Sequence, residues 1–356
     1  MADKVLMKGN EALAEAAIMA GCRHYFGYPI TPQTEVAAYL SKRMPQIGGT
    51  FLQAESEIAA INMVIGVASA GKRVMTSSSS PGISLKSEGL SYLAGCDLPA
   101  LVVNVQRGGP GLGGIQPSQS DYFQATRGAG HGDFHMLVLA PASVQEMASL
   151  VFKGFDLADK YRMTTMILAD GTMGQMMEPV SLDMGEVQSY DKSWAVTGTQ
   201  GKRRHNIVNS LSLLPEELEQ WNIARYERYH TIEENETMVE KFMADDAEIV
   251  VVAFGVAARV ARNAIVAARE KGIKAGLIRP ITLWPFPKKQ LRDAAKHAKA
   301  FVSVELSMGQ MIEDVELSIR CVRPVLLCSR VGGMIPTPEE VLAKIEEAAR
   351  TGGDEA

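Results

Sequence analysis

Short apolar runs alternate with stretches of helical period twice along this chain, with one polar interruption between the two series. That alternation constrains the fold more than any single motif. In the first series His24–Phe26, Thr50–Gln53, Arg73–Thr76, Ala100–Val105 and Thr165–Ala169 read as strands. Helical patterns at Asn10–Ala20, Thr34–Arg43, Ser56–Ala70, Ser84–Ala94 and Ser143–Lys160 surround them, after a short lead-in over Met1–Lys8. Strands separated by helices of this length pair in parallel, in a sheet covered on both faces. Residues 186–246 break the rhythm; they are polar, with Lys202-Arg203-Arg204-His205 and a charged helical run from Pro215 to Met243. This stretch reads as a connector with a surface helix, and its basic triplet as a solvated turn. A second series follows, with strands Glu248–Phe254, Ala275–Ile278, Phe301–Glu305 and Pro324–Cys328 and helices Ala257–Lys271, Lys288–Ala298 and Gln310–Arg320. A chain of 356 residues exceeds one ordinary core. The expectation is an α/β protein of two open parallel-sheet domains, residues 1–185 and 247–356.

Composition excludes several function classes. A net charge of −5 gives no basic footprint for nucleic acid or an anionic membrane. No apolar run approaches the roughly 18 residues of a membrane helix, and the N-terminus does not read as a signal peptide. The expected location is the cytoplasm. Cys22, Cys96, Cys321 and Cys328 form no CxxC pair. Buried free thiols are the expectation, with no zinc or iron–sulfur ligation by this chain.

Candidate chemistry gathers in the first series. Pro29 and Pro32 make Phe26–Pro32 a stiff loop and push Tyr28 and Thr31 toward extended geometry. The loop leaves the C-terminal end of a strand, where open α/β sheets bind ligands. A helical wheel places Glu57 with Ile61, Val64 and Ala68, while Glu55 and Asn62 point the other way. A carboxylate on an apolar helix face is rare unless paired or functional. The helix N-terminus favours its anion by about 0.3–1 kcal/mol, and full burial opposes it by up to roughly 3–5 pKa units. A core salt bridge is the alternative. Arg107 ends a strand ahead of Gly108-Gly109-Pro110-Gly111, a setting suited to gripping a carboxylate or phosphate in bidentate fashion. The loop lacks the GK[ST] of a P-loop, and Gly255 opens a helix without a GxGxxG. The serine run Ser77–Ser80 offers hydroxyls and N–H groups to a ligand, and Asp170-Gly171 follows another strand.

Taken together, Tyr28-Pro29-Ile30-Thr31-Pro32, Ala54-Glu55-Ser56-Glu57, Thr76–Gly82, Val105-Gln106-Arg107 and Glu305–Gln310 resemble the α subunit of 2-oxoacid:ferredoxin oxidoreductases. The loop Gly108–Pro117 is similar to the 2-oxoisovalerate (branched-chain) type. The resemblance implies a thiamine diphosphate pyrimidine-binding domain followed by a transketolase C-terminal-like domain. It assigns Glu57 to N1′ of the cofactor's aminopyrimidine, where sharing a proton favours the imino tautomer that removes the C2 proton. It assigns Thr31 and Arg107 to the 2-oxoacid, and Ile30 and Ser79 to the cofactor. Ala169-Asp170-Gly171 lacks the first glycine of the usual Mg²⁺ signature, and no asparagine pair follows. The resemblance therefore places Mg²⁺ and the diphosphate half-site on a β subunit. It places the iron–sulfur clusters on γ and ferredoxin-like subunits, with ferredoxin as acceptor and coenzyme A as acyl acceptor. The alternatives are a 2-oxoglutarate or pyruvate ferredoxin oxidoreductase subunit, another thiamine enzyme, a nucleotide-binding reductase, and a non-catalytic scaffold subunit.

Overall fold

The structure, a computed structural model, describes residues 4–351. Its largest sheet has seven strands, drawn mostly from the first half. In chain order the strands are β1 (Lys4–Lys8), β2 (His24–Gly27), β3 (Thr50–Gln53), β4 (Val74–Ser78), β5 (Ala100–Gln106), β6 (Leu137–Leu139), β7 (Thr164–Asp170) and β8 (Met177–Ser181). The second half adds β9 (Val239–Phe242), β10 (Ile249–Ala253), β11 (Ala275–Pro280), β12 (Thr282–Trp284), β13 (Ala300–Glu305) and β14 (Val325–Ser329).

The large sheet runs β12-β6-β7-β5-β4-β2-β3 and is parallel except for β12 at its edge. Every residue of β4, β5 and β7 is buried. Helices on both faces cover these central strands, which therefore carry continuous apolar runs without alternation. The second sheet runs β14-β13-β10-β11-β9, with β9 antiparallel at one edge. Strand β10 shows why the two halves stay together. Ile249, Val251 and Ala253 pack into the second half's own core, while Val250 and Val252 join the core that extends through the first half. A period of two sends alternate side chains to opposite faces, so one strand feeds both cores.

Several elements depart from the sequence reading. The lead-in is strand β1, paired antiparallel with β8. The charged run from Pro215 is helical only to Asn235, and Val239–Phe242 then becomes an edge strand. Both faces of that four-residue strand are half-exposed, so its alternation gives no apolar stripe to read. Thr282–Trp284 crosses back to complete the first half's sheet. The helix expected over Ser84–Ala94 is two helices, Ser80–Leu85 and Ser87–Gly95, joined at Lys86. Pro81 in its first turn lets the earlier helix start at Ser80, since proline is preorganised for that position.

The order of the large sheet also locates a crevice. From β2 the chain steps outward to β3, then returns to the other side of β2 to form β4 and β5. This reversal leaves an opening outside the carboxyl ends of β2 and β4, where open sheets take their ligands.

Candidate active site

Four strand ends converge on that crevice. The loop after β2 carries Ile30 and Thr31, the turn after β3 leads to Glu57, β4 runs into Ser79, and β5 into Arg107.

The proline loop is held from both sides. Tyr25 Oη and Ser77 Oγ lie 2.7 Å apart, Ser77 donates to Gln33 Oε1 at 2.6 Å, and the Gln33 amide donates to the Tyr28 carbonyl at 3.4 Å. Tyr25, Ser77 and Gln33 are fully buried. From the opposite side the Asn10 amide donates to the Pro32 carbonyl at 2.9 Å. Prolines supply no N–H of their own, so the loop is fixed through its carbonyls. Ile30 is half-buried, and Thr31 is exposed with a hydroxyl that makes no hydrogen bond among the described residues.

Arg107 is 8% exposed. Its Nη1 donates to the Thr31 carbonyl at 3.0 Å and its Nη2 to the Leu112 carbonyl at 3.1 Å. Nε is buried and has no partner. A guanidinium carries five N–H donors, so donors remain beyond those spent on the two loops. Sequence reasoning expected a free two-pronged grip. The structure adds that the same group ties the proline loop to the glycine loop. The Arg107 backbone N–H donates to Ser80 Oγ at 3.1 Å, and Ser80 donates to Asp121 Oδ2 at 2.5 Å. Asp121 also accepts from the Asn104 amide at 2.9 Å. Burial pushes the Asp121 carboxyl above the ordinary range, against these two bonds. Beside it a cavity of about 620 Å³ opens between the halves, lined by Pro81, Gly109, Ser118, Leu306 and Met308 among others.

Glu57 begins the helix Glu57–Ser69 and is 5% exposed, on the face it shares with Ile61, Val64 and Ala68. Ser56 caps that helix by accepting from the Ala59 N–H at 3.2 Å, so Glu57 is not needed as a cap. Its carboxyl makes no hydrogen bond or ion pair among the described residues. Gly82 permits this packing: a Cβ there would lie 2.5 Å from Glu57 Oε1 and 2.0 Å from Ser78 Oγ. The hydroxyls of Ser78 and Ser79 are buried and unpartnered. Buried polar atoms are rarely left so. An open carboxyl beside orphaned hydroxyls is a donor and acceptor set that fits a heteroaromatic ring bearing both ring nitrogen and amino group. The structure thus links Thr31, Arg107, Ser79 and Glu57 through Ser80 and Gly82. Glu55, which the helical wheel set on the opposite face, lies ahead of the Ser56 cap, outside the helix, and is exposed.

Residues 15–245 match the family described as pyruvate flavodoxin/ferredoxin oxidoreductase, thiamine diphosphate-binding. The chain belongs to that family. Residues 247–341 of this oxidoreductase chain match core domain II of pyruvate:ferredoxin oxidoreductase. The ketoisovalerate oxidoreductase subunit VorB of Methanothermobacter thermautotrophicus is 50% identical, across 98% of this chain and 99% of that protein. The 2-oxoglutarate synthase subunit KorA of Archaeoglobus fulgidus is 37% identical, across 96% and 98%. A solved 2-oxoglutarate:ferredoxin oxidoreductase from Magnetococcus marinus superposes with a TM-score of 0.88 at 28% identity, over 98% of this chain, which spans 65% of that one. A split-gene transketolase shares the fold alone, with a TM-score of 0.61 at 14% identity over 97% of this chain and 98% of that one.

Sequence reading missed Gly82, Asp121 and Lys86. Lys86 had a signal, because helical spacing puts it on one face with Gly89, Leu90 and Leu93, all buried. Among the described residues no group of three or more His, Cys, Asp or Glu is placed to hold a metal ion. No described helix is long and apolar enough to cross a membrane.

Proposed function

We propose that this chain is the pyrimidine-side half of a thiamine diphosphate site in a branched-chain 2-oxoacid:ferredoxin oxidoreductase. The observation that carries the proposal is the Glu57 carboxyl, buried and without a partner at the sheet's switch point. In this reading Glu57 faces N1′ of the pyrimidine and exchanges a proton there. Ile30 and Ser79 border the ring. The Thr31 hydroxyl and the unspent Arg107 donors bind the carboxylate of the 2-oxoacid. Bound thiamine diphosphate would supply a nucleophilic carbon for the keto group and an electron sink for the pair left when CO₂ departs. Those electrons, two per turnover, pass to ferredoxin, and the acyl group passes to coenzyme A.

Partner subunits complete the site. A β subunit brings Mg²⁺ and the diphosphate contacts, and γ and ferredoxin-like subunits bring the iron–sulfur clusters. Two features support this. The carbon-rich rim of the crevice is uncovered, with Tyr28, Leu52, Ile58, Leu85, Leu112 and Ile115 exposed on the segments that build it. The four cysteines are free thiols, Cys22 and Cys328 buried, Cys96 half-buried and Cys321, against expectation, exposed, which suits a reducing, cytoplasmic location.

The likeness to a ketoisovalerate enzyme favours a branched-chain substrate over 2-oxoglutarate or pyruvate. The test is reduction of ferredoxin by the complex assembled with its partners, using coenzyme A and each acid in turn. The expected result is a kcat/KM for 2-oxoisovalerate at least about tenfold above the others, in line with the discrimination an apolar pocket achieves. Preference for 2-oxoglutarate would overturn the substrate reading, and no reduction with any acid would favour a scaffold role.

A further inference from the structure

Lys86 lies at the bend between the helices Ser80–Leu85 and Ser87–Gly95, and it has no solvent exposure. Lysine is almost never fully buried unless paired. Among the described residues it forms no ion pair. Among the described residues its ammonium makes one hydrogen bond, a long one from Nζ to the backbone carbonyl of Glu57 at 3.4 Å. An ammonium carries three donors, so it is under-satisfied in a place where methionine would fill the same volume without charge.

The packing fixes where this cation stands. Gly82, four residues before it, lies against the Glu57 carboxyl, and Gly89, three residues after it, lies against Ile61. Added Cβ atoms would come within 2.5 Å of Glu57 Oε1 and of Ile61 Cγ2. The bend therefore clamps the first turn of the Glu57 helix, with the ammonium inside the clamp. Glu57 is the charged group that acts on Lys86 from the elements packed against it. Glu88, on the following helix, is exposed and accepts from Tyr92 Oη at 2.6 Å.

We infer that Lys86 is a positioning residue for the thiamine site: its buried ammonium anchors the start of the Glu57 helix and supplies the counter-charge against which Glu57 takes and gives its proton. The inference rests on the reading of Glu57 given above. Burial lowers Lys86 from its ordinary 10.5 to about 8, net of the opposing pull of the Glu57 charge. The attraction between the two charges ties the ammonium to the Glu57 side of the clamp.

The experiment has two arms. In the first, the Lys86 titration is followed by NMR in the full chain, wild type and Glu57→Gln, with Lys86→Arg identifying the signal. The expected shift is a midpoint lower by about one pH unit in Glu57→Gln, the lower end of what a nearby opposite charge produces. An unchanged midpoint overturns the inference, and this arm needs neither cofactor nor the Lys86→Met variant. In the second, C2–H exchange of bound thiamine diphosphate is followed across pH in the assembled complex. Lys86→Met should slow it by about tenfold with a displaced pH profile, as one unit of coupling implies, and Lys86→Arg should restore most of the rate. A wild-type rate and profile in Lys86→Met overturns the inference while leaving the thiamine reading intact. If Glu57→Gln itself leaves exchange unchanged, the thiamine reading fails instead, and the first arm still decides the coupling.

Discussion

Glu57 and Glu305 are the same residue in nearly the same burial, and they are used in opposite ways. Glu305 ends β13 and is 1% exposed. It accepts from Ser303 Oγ, Ser307 Oγ and the backbone N–H groups of Gln310, Met311 and Ile312, at 2.8 to 2.9 Å. Five donors, three of them at the start of the helix Met311–Ser318, fill its capacity and suit an anion at a helix N-terminus. Glu57, 5% exposed, has none. A saturated buried carboxylate holds a fold together. An unsaturated one at a sheet's switch point is kept for something that comes and goes. Burial alone separates neither, and both belong to motifs that carried the family resemblance.

The comparison predicts a double dissociation. The largest effect is on turnover: Glu57→Gln should lower kcat of the assembled complex by about 10²–10⁴-fold, the usual contribution of a positioned acid–base group. Its melting temperature should stay near wild type, because no protein hydrogen bond is lost. Glu305→Gln should do the reverse. Its amide turns an N–H₂ toward backbone donors and removes charge-assisted bonds, so stability in urea should fall by about 2–4 kcal/mol. Activity per folded molecule should survive. If Glu57→Gln unfolds the chain and Glu305→Gln silences it, the two roles have been exchanged.

A third carboxylate sharpens the contrast through pH. Asp170 is buried at the end of β7 and accepts from the Thr172 and Met173 N–H groups at 2.9 and 3.1 Å. Burial outweighs these bonds and raises it from 3.8 to about 6. A folded pKa above the unfolded one means that the native state holds its proton more tightly. The stabilising contribution is full below about pH 4 and declines as pH rises through about 6, a change of up to about 3 kcal/mol. Asp170→Asn keeps the cap and should flatten stability across that window. An unchanged slope between pH 4 and 6 would remove Asp170 as its source.

Much of this site was legible in the sequence because it is local. The proline loop, the helical phase of Glu57 and the arginine at a strand end are each set within a few residues. What was not legible depends on distant partners. Thr282–Trp284 is too short to announce that it completes another sheet. Val239–Phe242 carries Glu240 and Lys241 and so continued the charged pattern of the helix before it. Arg107 pointed to ligand binding, and no local pattern tells that its Nη atoms hold the carbonyls of Thr31 and Leu112. Lys86 shares a helix face with Gly89, Leu90 and Leu93, but what its ammonium meets, the Glu57 carbonyl, lies on another helix and has no local signature.

Arg107 gives the smallest expected effect. Arg279 shows the closed arrangement, with Glu146 and Glu240 meeting its guanidinium at 2.6 to 2.9 Å. Arg107 keeps a partnerless Nε. Arg107→Lys retains the charge and loses the fork. KM for the 2-oxoacid should rise about tenfold, the loss of one good hydrogen bond to a charged group, with cofactor affinity little changed. An unchanged KM would place the acid's carboxylate elsewhere.

The most direct measurement is hydrogen–deuterium exchange at C2 of thiamine diphosphate bound to the assembled complex, comparing wild type, Glu57→Gln and Glu55→Gln. The open carboxyl of Glu57 predicts exchange slowed by about 10²–10⁴-fold in Glu57→Gln, and a wild-type rate in Glu55→Gln, whose side chain is exposed ahead of the Ser56 cap. Exchange lost in Glu55→Gln and spared in Glu57→Gln would contradict the assignment of the proton-sharing carboxyl, and exchange spared in both would contradict thiamine chemistry at this helix.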